Sequence, residues 1–539
     1  MSGTFLEIER KYDITGQTSL PRLHGAAGVS RVGYRPPVAL EAVYFDTRDR
    51  VLAANGVILR RRAGGEDAGW HVKIPSGAHR IEMQVPLASS ERTGDGPAES
   101  VPYRVPEEIA DLVAVHVRGR ALVPVLSMNT LRSVVDLMDA RGRTVAEVCD
   151  DQVAAMAAGS RTDSRVRHWR EWEVEVVNPT LVGGMESVPG FLDAVESTLL
   201  DAGAQRSHAG SKLEKVLGRP ADPLSPEGAG EGTDLATVLT RTVRTQVRRL
   251  KSWDPLVRRS ADDAVHQFRV SARTLRSLLQ IYRPLLEPEA RKEVNRALRR
   301  LGRLLSAARD AEVLRDQVGE RIAALPGGAE GLTASLIPKR TVRRLRDSQV
   351  REYRRAHRRL LAAMRSPWYA EQLDIIDRCA RAVPLHPDLG AEQRRDAAAA
   401  LAPLATAQVD SLLAHAETAE HEADEATRIE ELHEVRKEAK RLRYAVSAVT
   451  DAAAIDLGDD LAEKMAVAKK LQTTLGTHRD SVMFQDHVRS TARRAEKKGE
   501  PTFGYGLLYG AEIAVQTKAL KKTTKLLSRL HSAASTEQA

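Results

Sequence analysis

The chain has 539 residues, 42% of them hydrophobic and 29% charged, with a formal net charge of +9. That length allows two or three domains with real cores, and 2 cysteines, Cys149 and Cys379, leave no disulfide framework and point to a reducing compartment. The N-terminus lacks a basic-then-apolar leader, and no run approaches the roughly 18 apolar residues of a membrane span, so a cytoplasmic protein is expected.

Residues 7–11 read Glu7-Ile8-Glu9-Arg10-Lys11. In a β-strand successive side chains point to opposite faces, so Glu7, Glu9 and Lys11 share one face and Ile8 takes the other. An exposed strand edge gives this pattern, and so does a closed barrel that is polar inside. Two carboxylates beside an ammonium suit a metal bound to an anionic substrate. The pattern recurs along the N-terminal third. Arg60 and Arg62 alternate after the turn signal Asn55-Gly56, and His71 and Lys73 follow Trp70. Arg80, Glu82 and Gln84 alternate around Ile81 and Met83, and Arg132 shares parity with Val134 and Asp136. Glu171, Glu173 and Glu175 alternate with Trp172, Val174 and Val176. Charged stripes repeated on apolar-backed strands predict a barrel that is charged inside and apolar outside. Helices from the runs 105–117 and 190–202 are expected to cover the outside.

These residues resemble the CYTH family, the triphosphate tunnel enzymes. The match takes in Glu7, Glu9 and Lys11, then Tyr44-Phe45-Asp46-Thr47, Arg60, Arg62, Lys73, Glu82, Arg132, the run 171–175 and Ser211-Lys212. It spans roughly residues 4–217 in order and spacing. The resemblance implies an α+β domain, an eight-stranded antiparallel β tunnel with packing helices, that takes a triphosphate with Mg²⁺ or Mn²⁺. It assigns catalysis to Glu7, Glu9 and Lys11, and phosphate binding to Lys11, Arg60, Arg62, Lys73, Arg132 and Lys212. It assigns the metal to Glu7, Glu9, Glu173 and Glu175, with Glu82 and Asp150 as additions; Asp151, next to Asp150, is left as the alternative lumen residue. His71 stands where the family often has a small hydroxyl residue.

Charge is uneven along the chain. Residues 1–218 hold 26 Lys and Arg against 29 Asp and Glu, and residues 219–539 hold 56 against 44. The positive excess therefore lies C-terminal to a break of linker composition at 219–232, with Pro220, Pro223 and Pro226. A basic domain favours polyanions. From 233 to 531 the pattern is helical, with apolar residues at three- and four-residue spacing, and it is duplicated, in halves of about 233–383 and 390–531. His266, Arg269, Arg273 and Arg276 align with His433, Arg436, Lys440 and Arg443, and Arg309-Asp310 aligns with Arg479-Asp480. At about 100° per residue each set of four falls on one narrow helical arc. Phe268, Ala272, Leu275 and Leu279, and their counterparts Val435, Ala439, Leu442 and Val446, lie about a third of a turn away. Stacked like charges repel, and the arc holds no acid in either copy, so an anion against it is the natural reading.

The duplicated helix pair resembles the CHAD domain, the conserved histidine α-helical domain. That resemblance implies two pseudo-symmetric four-helix bundles with a basic groove for inorganic polyphosphate, lined by His266, Arg269, Arg273, Arg276, Arg309, His433, Arg436, Lys440, Arg443 and Arg479. No His-x-x-x-His pair occurs on a helix, so the histidines are read as phosphate contacts rather than metal ligands. The combined expectation is a metal-dependent hydrolase of triphosphate or short polyphosphate whose helical half binds polyphosphate, with docking on polyphosphate granules. No nucleic-acid or membrane partner is expected, since aromatics are 4% of the chain and offer little for base stacking. The rival readings are a nucleotide or thiamine triphosphate enzyme, or class IV adenylate cyclase, on the same tunnel, and a non-enzymatic polyphosphate binder.

Overall fold

A computed structural model describes residues 3–76, 79–87, 104–158, 166–225, 232–326, 328–453 and 455–535. The chain divides into two compact units, Met1–Ser225 and Pro226–Ala539. The Gly- and Glu-rich part of the expected linker, 226–231, lies outside the described residues.

The first unit is built on strands β1 Gly3–Glu7, β2 Glu9–Ile14, β3 Arg31–Tyr34, β4 Val38–Asp46, β5 Ile58–Ala63, β6 Gly69–Ser76, β7 His79–Pro86, β8 Val123–Met138, β9 Thr144–Ala157, β10 Arg167–Val176 and β11 Gln205–Arg206. They form one sheet in the order β1-β7-β6-β5-β4-β8-β9-β10-β2-β11, with β3 on β8. Strands β1 and β2 are one run interrupted at Ile8. The first half pairs with β7, Leu6 opposite Ile81, and the second with β10, Lys11 opposite Glu173. The pairing therefore returns to the strand where it began and curls the sheet around a lumen. Eleven strands stand among the described residues rather than the eight expected, because the first is split and the short β3 and β11 are added at the sides.

Apolar residues face outward under helices. Ile8, Tyr12, Trp172 and Val174 pack with Phe191, Leu192, Val195 and Leu199 of the helix Val188–Asp201. Phe45, Leu59, Trp70, Val72 and Met83 pack with Ile109, Leu112 and Val113 of the helix Glu107–Val117. Each large side chain so buried contributes roughly 1.5–3 kcal/mol, which holds the charged residues between them facing inward. Gly64 closes the turn after Arg62 at φ 78°, where a Cβ would meet the Ala39 carbonyl oxygen at 2.2 Å, so only glycine fits there.

The second unit is all helical. After α1 Val51–Ala54, α2 Glu107–Val117, α3 Val188–Asp201 and α4 Lys212–Leu217 of the first unit, its helices are α5 Leu235–Arg258, α6 Ala264–Ile281, α7 Pro288–Ala323, the short α8 Leu332–Ser335, α9 Lys339–Met364, α10 Pro367–Arg381, the short α11 Ala391–Arg395, α12 Ala397–His421, α13 Glu425–Ala453, α14 Asp459–Glu496 and α15 Phe503–Ser535. The apolar stripes expected on α6 and α13 are buried: Phe268, Ala272, Leu275 and Leu279 on one, Val435, Ala439, Leu442 and Val446 on the other. The two halves share a core, in which Val318 of α7 and Leu345 of α9 meet Phe484 and Val488 of α14 and Tyr505 and Leu508 of α15. Among the described residues α12 alone is long and apolar enough in composition to cross a membrane. Here its Leu401, Val409 and Leu412 are buried within the unit.

Candidate functional site

The curled sheet encloses a cavity of about 440 Å³. Among the described residues lining it, eight are Lys or Arg and eight are Asp or Glu. A neighbouring cavity of about 390 Å³ shares Glu7, Glu9 and Lys11 with it, so these three stand where the two spaces meet. Strand parity brings Arg60, Arg62, Lys73, Glu82, Arg132, Glu173 and Glu175 to the same lining. Lys212 arrives differently. Ser211 Oγ caps a short helix, Lys212–Leu217, by accepting from the Glu214 amide at 3.1 Å, and this turn points the Lys212 ammonium into the lumen.

Most of these charges are paired. Lys212 Nζ lies 2.6 Å from Glu171, 2.6 Å from Glu173 and 2.9 Å from Asp151. Arg132 binds Asp151 at 2.7 and 2.6 Å and Glu173 at 2.7 Å. Lys11 reaches Glu9 at 2.7 Å and also contacts Glu173. Burial opposes ionisation of Glu173, but Lys11, Lys212 and Arg132 together hold its carboxyl well below the usual range. Glu82 accepts from His71 Nδ1 at 2.6 Å and lies 3.5 Å from Lys73. Burial works against its charge too, and Lys73 and His71 outweigh that and lower its pKa. Arg62 pairs with Asp67, and Lys73 with Glu7.

A divalent cation fits the lumen by its donor set. Glu7 Oε2 is buried without a hydrogen-bond partner. The Glu175 carboxyl is pushed up to about 7 by burial, with the charges of Glu7, Glu9 and Glu173 adding to it and Lys73 opposing. Glu7 Oε2, which has no hydrogen-bond partner, and Glu175, which has no ion pair among the described residues, are thus hard oxygen donors left over beside the Lys11-paired Glu9, and such oxygens suit Mg²⁺ or Mn²⁺. The oxygens of Asp151, Glu171 and Glu173 also gather within 4.8 Å of one another. They have the donors for a cation, but Lys212 and Arg132 already meet their charge.

One expected ligand is misplaced. Asp150 lies on the outer face, bound to Arg170 at 2.8 Å, and Asp151 takes the lumen position opposite Arg132 in the β8–β9 register. Sequence reasoning passed over Asp67 and left Asp151 out of the metal set. Asp151 shares parity with Glu147 and Cys149 of β9, which line the same cavity, but its pairing with Arg132 is what orients the strand.

The second unit brings both motif copies together, because α6 packs against α13. The cations of the two helices lie close enough to depress one another. Burial, then Arg269, lowers the Arg273 guanidinium to about 10. Burial, then Arg273, Arg436, Arg269 and Arg443, lowers the Lys440 ammonium to about 6. Arg309 stands near His266, and Arg479 near His433, and each helps keep its histidine below the usual range after burial itself. Of the ten residues expected to line the groove, Arg276 among them, Arg309 alone has a carboxylate within 4 Å among the described residues, Glu312 at 2.7 Å and Asp263 at 4.0 Å. Arg269 Nε donates to Ser306 Oγ at 3.1 Å.

Family models agree with this division: a CYTH domain matches residues 6–177 and a CHAD domain residues 241–489. Two uncharacterized proteins of Mycobacterium tuberculosis are each 37% identical over 536 residues, spanning 98% of this chain and 97% of their own length. Among solved structures, PptA from Streptomyces chartreusis aligns with 55% of this chain and 99% of its own, at 20% identity and a TM-score of 0.42. The protein is a member of the CYTH–CHAD family, with the CYTH domain first and the CHAD domain after it.

Proposed function

We propose that the tunnel hydrolyses phosphoanhydride bonds of inorganic triphosphate or short polyphosphate with Mg²⁺ or Mn²⁺, and that the helical unit binds inorganic polyphosphate. The observation that carries the first half is the lumen's balance of eight cations against eight carboxylates, with Glu7 Oε2 left without a hydrogen-bond partner and Glu175 without an ion pair among the described residues. A bare polyanion would leave those oxygens unmet, whereas a phosphate chain arriving with its metal satisfies both sides. When bound, the metal would polarise the scissile phosphoryl group and neutralise charge developing on it. Arg60, Arg62, Arg132 and Lys73 would bind and orient non-bridging oxygens, the guanidiniums by paired hydrogen bonds. Lys11, beside Glu9 where the two cavities meet, would steady the phosphoryl group that is attacked. CYTH proteins include metal-dependent enzymes that act on phosphoanhydrides.

A second reading keeps a specific support. Val38, Leu40 and Met128 also line the cavity and would accept an organic group, so ATP and thiamine triphosphate are its rivals. Released phosphate, measured with Mg²⁺ or Mn²⁺ on tripolyphosphate, longer chains, ATP and thiamine triphosphate, decides between them. Faster turnover of either organic substrate would replace the inorganic reading. Changing Glu7 and Glu9 together to Gln is expected to abolish metal-dependent turnover with the fold retained by circular dichroism. Near-normal turnover in that variant would overturn the metal assignment.

A further inference from the structure

The groove's two copies differ at one ligand-facing position. Where α6 carries Arg273, α13 carries Lys440. A guanidinium stays charged in proteins, and an ammonium gives up its proton when buried among like charges. The surroundings of Lys440 are of that kind. Arg269 and Arg273 face it from α6, with His266 on the same helix, and Arg436 and Arg443 flank it on α13. The Tyr444 ring lies 6.0 Å from its nitrogen and is shared with Arg443 at 4.7 Å. From α14 the counter-charge is Asp480, which is shared with Arg436, Arg321 and Arg309 and whose carboxyl burial holds above its usual range. Among the described residues no carboxylate lies within 4 Å of the Lys440 ammonium.

We propose that long polyphosphate is captured in this groove together with a proton taken up by Lys440, so that Lys440 sets how tightly the groove holds its ligand at a given pH. This rests on the reading of the groove as a polyphosphate site. Burial and four guanidiniums leave the free ammonium at about 6, so at neutral pH the free groove holds Lys440 mostly as the amine. Phosphate oxygens supply the negative charge the groove lacks, and the bound lysine returns toward its ordinary range near 10.4. The proton comes from solvent and ends on Nζ; no covalent bond changes. The sign follows from linkage: the bound state carries more protons than the free one, so affinity is greatest at low pH and falls as pH rises above the free value. His266 and His433 also gain protons on binding, but burial and neighbouring cations hold both below their ordinary range, which places their share at lower pH.

The test uses the full chain with Glu7 and Glu9 both changed to Gln to prevent hydrolysis, and long-chain polyphosphate, whose internal groups stay ionised throughout. Titration calorimetry in two buffers of different ionisation enthalpy, from about pH 7.5 to about pH 9, reads affinity and protons together. The expected result is a fall in affinity of about tenfold or more across that window, with close to one proton taken up per groove. In Lys440→Arg the window should be nearly flat and binding at the alkaline end tighter than in the parent; in Lys440→Met binding should be weak and equally flat. A parent that changes less than about twofold, or a Lys440→Arg variant that keeps the parent's slope, overturns the proposal while leaving the groove's ligand in place. Absence of polyphosphate binding at every pH overturns the groove reading itself.

Discussion

Lys212 is the residue on which the lumen's wall depends. Its ammonium is buried among Asp151, Glu171 and Glu173, each within 2.9 Å. Removing one partner of a buried ion cluster leaves the others uncompensated, which costs about 3–5 kcal/mol. Lys212→Met should therefore lower the stability of the first unit by that order, read in urea unfolding, besides any loss of turnover; a variant as stable as the parent would mean that water reaches this cluster. Glu175 has the opposite character. Its folded pKa is about 7, above its unfolded value, so its contribution to stability is fully present below about pH 4.5 and is lost as pH rises through 7. In metal-free protein, Glu175→Gln should remove a destabilisation of a few kcal/mol at pH 8 and change little at pH 4.5. Thermal melts with chelator at both values check this, and equal effects at the two would refute the shift.

At the scale of elements, period and parity carried much of the outcome. Alternation marked the inward residues of β1, β2, β5, β6, β7 and β10 because a strand's period of two leaves no choice once its apolar side is known. On β9 the apolar pattern Val145, Ala146, Val148, Cys149 does not alternate, so Asp150 and Asp151 could not be separated; only the pairing of Asp151 with Arg132 orients the strand. The interruption at Ile8 and the small strands β3 and β11 left no trace in composition. Nor did the shared core of α7, α9, α14 and α15, since a helix's apolar face does not say which partner covers it. The arc on α6 and α13 was legible, and the structure adds that its cations face one another. Changing Arg269, Arg273, Arg436 and Lys440 together to Ala should weaken long-chain polyphosphate binding by a few kcal/mol, at roughly 1 kcal/mol or more per contact. The same change relieves repulsion and favours helix, so the ligand-free variant should melt about 2–4 °C higher. A lower melting point would mean that the aliphatic stems, not the charges, dominate there.

Across the whole molecule, charge is deployed in three ways. The tunnel is balanced, the groove is almost free of acids, and α9 is a third case that carries no motif. Its 26 residues hold ten Lys and Arg against Asp347 and Glu352 alone, most of the C-terminal excess of +12 that the whole-chain totals leave for residues 219–539. Arg343, Arg346, Arg351, Arg354, Arg355, Arg358 and Arg359 are exposed, and Glu352 reaches Arg359 at 3.5 Å and Arg355 at 4.0 Å. An exposed stripe attracts any polyanion in low salt and is screened within about 10 Å at 0.1 M. A half-buried groove short of counter-charge holds its ligand at salt where the stripe no longer does. Two variants separate the surfaces: the alanine quadruple change in the groove, and Arg351, Arg354 and Arg358 changed together to Glu on α9. Near physiological salt, long polyphosphate binding should fall in the first and stay within about twofold in the second. Duplex DNA binding at low salt should do the reverse, because counterion release acts wherever exposed cations are dense. If polyphosphate affinity instead followed the α9 change and ignored the groove, the excess charge alone would bind it, and the paired helices would need another ligand.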